Sequence, residues 1–396
     1  MIRIKRPVLR VQGEDACLSA DIVLDDGVVR PLWVRVEKRF SDFLCFERSD
    51  AFVLGLLHYA MKAGQDIESE CAMTDRLYEQ ITDQFLPAYS KINGIREIRI
   101  DVPQLPEVQH PQDGDAVGTG CSCGVDSMHV YASHPEVTHG CVWNVHGITN
   151  DETDDDRRVA WRNLVSQAKR FTDAVGRELV VADSNYDRGC IPDLAFDGST
   201  TYGNLFFIFA FQKLWKCFYV ASGYDIGDFS LTLGVSADPA HYEYLLFPFC
   251  SMSHIRVLLD GAAHNRYQKT ADLVAYDPSR RFLNVCWRIS DNGKNCTCYC
   301  PKCMRTLLDL AALDATEEFA GVFDVDYYNS HQEEFLAEYW RGLIQKNPYA
   351  LEIRATYGRK KFPLSIRLRA VIILARKILK KLLRLGGTSQ RFSPRG

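Results

Sequence analysis

The sequence predicts an α/β protein. Its centre is an open, doubly wound, mostly parallel sheet with helices on both faces. An α+β unit precedes it and a helical, basic tail follows. Three observations carry this reading. Between residues 116 and 287, short β-like runs alternate with helical patterns, the order of a parallel sheet with crossover helices. The first hundred residues place strands before helices instead, which is α+β order. From Arg354 onward there are 13 Lys and Arg and no acidic residue.

The elements follow in chain order. RPVLRVQ and ADIVL are strand-like, and a DDG turn at Asp25–Gly27 joins them to VVRPLWVRVEKRF, which predicts a hairpin. Residues 50–63 and 73–90 carry apolar residues at helical spacing. The Pro-, Asp- and Gln-rich stretch 103–115 reads as a linker. Strands are then expected at Ala116–Ser122, His139–Val145, Glu178–Ala182, Lys216–Ser222 and Arg281–Trp287, with helices clearest at 156–176 and 203–215. Residues 327–345 read as helical. The expected domains are 1–108 (α+β), 109–326 (the α/β body, with a metal-binding segment at 286–303) and 327–396 (helical, ending in the basic tail).

Composition narrows the function classes. The 396 residues are 46% hydrophobic and 25% charged, a globular balance that excludes a largely disordered chain. The opening MIRIKRPVLRVQGED has no apolar core or cleavage site of an export signal, and no run is long enough to span a bilayer. A cytoplasmic protein is therefore expected, peripheral to a membrane at most. The net charge of −4 is uneven: the first 353 residues hold 34 basic against 51 acidic residues. Such an acidic body argues against nucleic acid as a partner.

Two segments carry chemistry. In the first, AVGTGCSCGVDSMHVYA from Ala116, a strand enters a loop of small residues and then a helix. In an α/β sheet this turn is where ligands bind, and amides at a helix N-terminus favour phosphate. Gly120, Ser122, Cys123, Gly124, Val125, Asp126 and Ser127 are the candidate binding residues. Asp126 would orient the loop or hold Mg²⁺ beside the phosphates. Neither a Walker loop nor the dinucleotide fingerprint fits the spacing.

The second segment is NVCWRISDNGKNCTCYCPKCMRTLLDLAAL from Asn284, with five of the 14 cysteines within eighteen residues. Without an export signal, thiols this dense point to metal rather than disulfides. Cys300-Pro-Lys-Cys303 is a knuckle turn and Cys286 a plausible third ligand. Cys296 or Cys298 would complete a closed four-thiolate Zn²⁺ site. The other nine cysteines read mostly as small buried hydrophobes.

Ser-Cys-Gly-Val-Asp-Ser at 122–127 resembles the Ser-Gly-Gly-x-Asp-Ser loop of the N-type ATP pyrophosphatases, the PP-loop family. Cys123 stands where that loop has Gly, and the site tolerates a Cβ only if the residue has negative φ. The cysteine cluster and Ser222-Gly223-Tyr224-Asp225 are similar to segments of the 7-cyano-7-deazaguanine synthase group, itself a PP-loop group. The resemblance covers about 116–313 and marks the chain as a divergent relative. It implies an adenine nucleotide alpha hydrolase-like fold and an ATP-dependent, AMP-forming ligase. Asp126 and Ser127 would be its catalytic pair, a small carboxylate its substrate and an amine or ammonia the acceptor. The alternative is a nucleotide-binding or scaffold protein on the same fold without turnover.

Asn144 and His146, with Asp183, lie at the ends of the next two strands and could reach the nucleotide. In the tail, Leu368, Val371, Ile372, Ala375, Ile378, Leu379, Leu382 and Leu383 share a helical face, and basic residues fill the rest. Residues 364–385 would pack on the body, bind a protein partner or lie on an anionic membrane.

Overall fold

The computed structural model describes residues 1–107, 114–144, 155–186, 196–227, 229, 238–286, 294–296 and 300–386, the side chains of 155–158, 196–199 and 383–386 excepted. The chain divides into two compact units, Met1–His264 and Asn265–Gly396.

The first unit is α/β. Its strands are β1 (Ile2–Ile4), β2 (Val8–Gln12), β3 (Asp15–Val23), β4 (Val29–Glu37), β5 (Ile67–Ser69), β6 (Met73–Thr74), β7 (Ile100–Asp101), β8 (Gln104–Leu105), β9 (Ala116–Gly120), β10 (His139–Trp143), β11 (Glu178–Ser184), β12 (Trp215–Ala221) and β13 (Arg256–Asp260). Eleven of them form one mixed sheet in the order β13-β12-β9-β10-β11-β4-β3-β1-β5-β7, with β2 on β3; β6 and β8 pair separately. The five strands β11, β10, β9, β12 and β13 are mutually parallel. The chain moves outward from β9 through β10 to β11, then returns past β9 to β12. The helices Val125–Ser133 and Asp155–Val175 connect the strands on the outward course and Phe196–Ala210 on the return, and the right-handed rule for such crossovers assigns the two groups to opposite faces. The direction of winding reverses between β9 and β12, and the carboxyl ends of the strands open a crevice at such a point.

The hairpin expected at Asp25–Gly27 joins β3 to β4 in full register, from Val23↔Val29 to Asp15↔Glu37. The expected boundary at 108/109 does not separate the units. Without β4, β11 would be an open parallel edge, and β4 covers it antiparallel through Arg35↔Asp183. The N-terminal strands thus continue the central sheet. The helix Asp50–Ala63 also packs on Phe196–Ala210. Their backbones come close at Gly55, where a Cβ would stand 3.0 Å from Phe206 Cβ. Residues 205–210 are all buried, so the last turns of the second helix have no polar face for a periodicity reading to find.

One expected strand is wrong. The fifth parallel strand is Arg256–Asp260, not Arg281–Trp287. Arg281 and Phe282 end a short helix, Ser279–Phe282. The amides of Val285 and Cys286 then donate to the buried side-chain oxygen of Asn295, at 2.8 and 3.0 Å. A side chain does there what a neighbouring strand would do. Trp287 lies outside the described residues.

The second unit is helical among its described residues. Its main helices are Arg266–Ala275, Pro301–Ala312, Gln332–Ile344 and Leu364–Gly386. The cysteine segment belongs to this unit rather than to the α/β body, and the expected boundary at 326/327 falls inside the unit.

Candidate functional site

The small-residue loop leaves β9 at Gly120, at the carboxyl end of the strand and beside the reversal. The Cys121 amide still donates to Cys141 of β10, at 2.7 Å, so the loop departs only after Cys121. The helix Val125–Ser133 begins four residues later, with Gly124 as its N-cap. The Ser122 and Ser127 hydroxyls lie 3.1 Å apart. Ser122 Oγ accepts the Gly124 amide at 3.2 Å, and the Ser127 hydroxyl donates to Gly124 O at 3.2 Å. Two hydroxyls from opposite ends of the loop are thus brought to one place.

Cys123 has φ +56°, in the left-handed region. The condition of negative φ for a Cβ is not met. The loop keeps the backbone conformation that glycine favours, and a cysteine occupies it at a cost of about 1–2 kcal/mol. The side chain is nevertheless buried, and the hydrogen bond with the Cys121 thiol, followed by burial, pushes the Cys123 thiol well above its ordinary value.

The loop opens onto a cavity of about 300 Å³. Gly120, Ser122, Asp126 and Ser127 line it, together with Trp143 of β10, Val220 and Ala221 of β12, and Trp161, Thr200 and Asn204 from helices. Cys123, Gly124 and Val125 are not on its wall; they set the path of the loop. Gly140 permits the close packing behind it, since a Cβ there would meet Tyr131 Oη at 2.5 Å. Trp143 went unnoticed in the sequence. Its indole N–H donates to Asn204 Oδ1 at 3.0 Å, and its ring stacks on Phe207 with centroids 5.0 Å apart. Its place at a strand end, one residue before Asn144, was the available signal.

Asn144 is buried and does not line the cavity. Its amide nitrogen donates to Asp183 Oδ1 at 2.9 Å, tying the ends of β10 and β11 together. His146 lies outside the described residues.

In the second unit the sequence-assigned thiols come together. The sulfurs of Cys286, Cys296, Cys300 and Cys303 all lie within 4.8 Å of one another and form a group that could hold a metal ion. The separations are 3.2 Å for Cys300–Cys303, 3.5 Å for Cys296–Cys303 and 4.0 Å for Cys286–Cys300. Four thiolates around one tetrahedral ion at ~2.3 Å would be about 3.8 Å apart, and the three separations bracket that spacing. Cys298 lies outside the described residues.

Local structure explains the convergence. Cys300 caps the helix Pro301–Ala312, and its sulfur accepts the Cys303 amide at 3.4 Å. Burial opposes ionisation of Cys300, yet that amide and the surrounding thiols hold its pKa below the ordinary value. Burial pushes Cys303 far up. Asn295 completes the frame. Besides accepting from Val285 and Cys286, it donates to Leu283 O and Val322 O at 3.0 and 2.9 Å. It therefore fixes Cys286 from one side and precedes Cys296 on the other.

Comparison of the chain with protein-family models, curated proteins and solved structures found no match.

Proposed function

We propose that the chain is an ATP-dependent, AMP-forming ligase of the PP-loop type, divergent from the 7-cyano-7-deazaguanine synthase group. The observation that carries this reading is the position of Ser122, Asp126 and Ser127. They line one cavity at the carboxyl end of β9, where the winding of the sheet reverses. The helix N-terminus and the two hydroxyls suit the β- and γ-phosphates. Asp126 would hold Mg²⁺, which offsets phosphate charge. Trp143 and Trp161 also line this cavity and give it an aromatic wall for an adenine ring.

In this reading a substrate carboxylate oxygen attacks the α-phosphorus. The bond from that phosphorus to the bridging oxygen breaks, pyrophosphate leaves into the loop, and an acyl-adenylate forms. Ammonia or an amine then attacks the acyl carbon and AMP departs. The protein contributes position and fixed dipoles rather than a covalent step. The four-thiolate set suits zinc in a closed structural site, remote from the chemistry in role.

The test is calorimetric titration with MgATP, followed by exchange of labelled pyrophosphate into ATP with pooled small carboxylates. Asp126→Ala and Ser127→Ala should each weaken binding at least tenfold, since a charge-assisted hydrogen bond is worth about 1.5–3 kcal/mol. Binding without exchange would favour the non-catalytic alternative. Equal ATP affinity in wild type and both variants would remove the loop from consideration.

A further inference from the structure

The Leu364–Gly386 helix packs on Gln332–Ile344, but not through the face its sequence advertises. Its inward stripe is Ile366, Ala370, Ile373 and Leu374, half-buried or buried, with Lys377 donating to Glu338 at 3.3 Å. The longer apolar stripe faces out. Leu364, Leu368, Val371, Ile372, Leu379 and Leu382 are exposed by 69, 57, 51, 50, 56 and 59%. Their spacing of four, three, one, seven and three residues keeps them in line on a 3.6-residue helix. From Leu364 to Leu382 the stripe runs about 27 Å.

Charge chooses the occupant. Arg367, Arg369 and Arg376 flank the stripe and Lys380 and Lys381 lie farther round; all are exposed, Arg369 lies 3.9 Å from Glu333, and the helix itself contains no acid. Protein interfaces are depleted in lysine. A straight apolar stripe with basic residues alone on its flanks matches a uniformly negative plane, where long side chains keep their charges at the headgroups while the stripe enters the acyl boundary. No helix among the described residues is long and apolar enough to cross a membrane, so the contact would be in-plane.

We infer that the exposed face of the Leu364–Gly386 helix docks the protein onto an anionic phospholipid surface. The full-length protein is sedimented with vesicles of phosphatidylcholine plus phosphatidylserine, and with pure phosphatidylcholine vesicles. Binding to the first, lost with added salt and weak on the second, is the expected result. Leu368→Glu with Leu379→Glu should reduce binding at least tenfold while leaving thermal unfolding unchanged, since both side chains already face solvent. Arg376→Gln and Lys380→Gln should each cost about fivefold on anionic vesicles only. Absence of binding to either vesicle overturns the inference, as does equal binding to both. So does a concentration-dependent dimer abolished by the double Glu variant, which would assign the stripe to a second copy.

Discussion

The two cysteine-bearing regions solve opposite problems with the same side chain. In the loop after β9, Cys123 is one thiol in a strained backbone, buried behind the cavity wall. In the second unit, four thiols converge on one point, and the backbone is arranged by Asn295 and a helix cap so that they can. The loop's properties come from backbone shape and hydroxyls, with cysteine tolerated in a place made for glycine. The knuckle's properties come from the thiols themselves. A cysteine is therefore informative here only through its company.

The largest effect expected from this contrast is at the knuckle. Cys303→Ser should abolish stoichiometric metal in elemental analysis. It should also unfold the second unit, because such sites supply on the order of 10 kcal/mol of folding free energy. A Cys303→Ser protein with full metal content and unchanged circular dichroism would break the comparison.

For the loop-bearing unit the corresponding lever is a proton. Glu243 is buried, accepts the Thr201 hydroxyl at 2.8 Å, and has its carboxyl pushed up to about 8 by burial. The folded state thus binds the proton more tightly than the unfolded chain. The associated stability is fully present below the ordinary value of 4.5 and is lost as pH rises through about 8. The loss is on the order of 5 kcal/mol. Glu243→Gln should flatten this decline in urea midpoints measured across that window, and an unchanged slope would locate the dependence elsewhere.

The smallest effect sharpens the comparison most. Cys123→Gly relieves about 1–2 kcal/mol of left-handed strain while giving up a buried thiol, so unfolding free energy should change by less than about 1 kcal/mol. Cys123→Val puts a branched Cβ at the same φ and should destabilise by about 2 kcal/mol or more. If chemical denaturation ranks valine at or above glycine, the strain at Cys123 is not real.

The parallel strands were legible because short β-like runs alternate with helical patterns between Ala116 and Ala221, clearest in the amphipathic helix Asp155–Val175. The metal group was legible because Cys300-Pro-Lys-Cys303 is a short-range pattern. What escaped the sequence depended on partners far along the chain. Arg256–Asp260 pairs with β12, whereas the amides of Val285 and Cys286 are taken by the Asn295 side chain, and neither partner is marked in the local pattern. Trp143 belongs to the cavity through Asn204, sixty-one residues away. The stripe on the last helix could be read, but which of two apolar faces turns outward is set by Gln332–Ile344.

The antiparallel join between β4 and β11 has a temporal consequence. Arg35 and Asp183, which meet across it, are 148 residues apart in the chain. At a synthesis rate of about 5–20 residues per second, β4 leaves the ribosome roughly 7–30 s before the strand that will cover it. During that interval the hairpin of β3 and β4 must survive as a bare edge. Pro31, which withholds an amide, and Arg35 and Glu37, which add charge, are the kinds of residue that discourage another nascent chain from pairing there. The same strand that closes the sheet in the finished protein is thus built to wait for it.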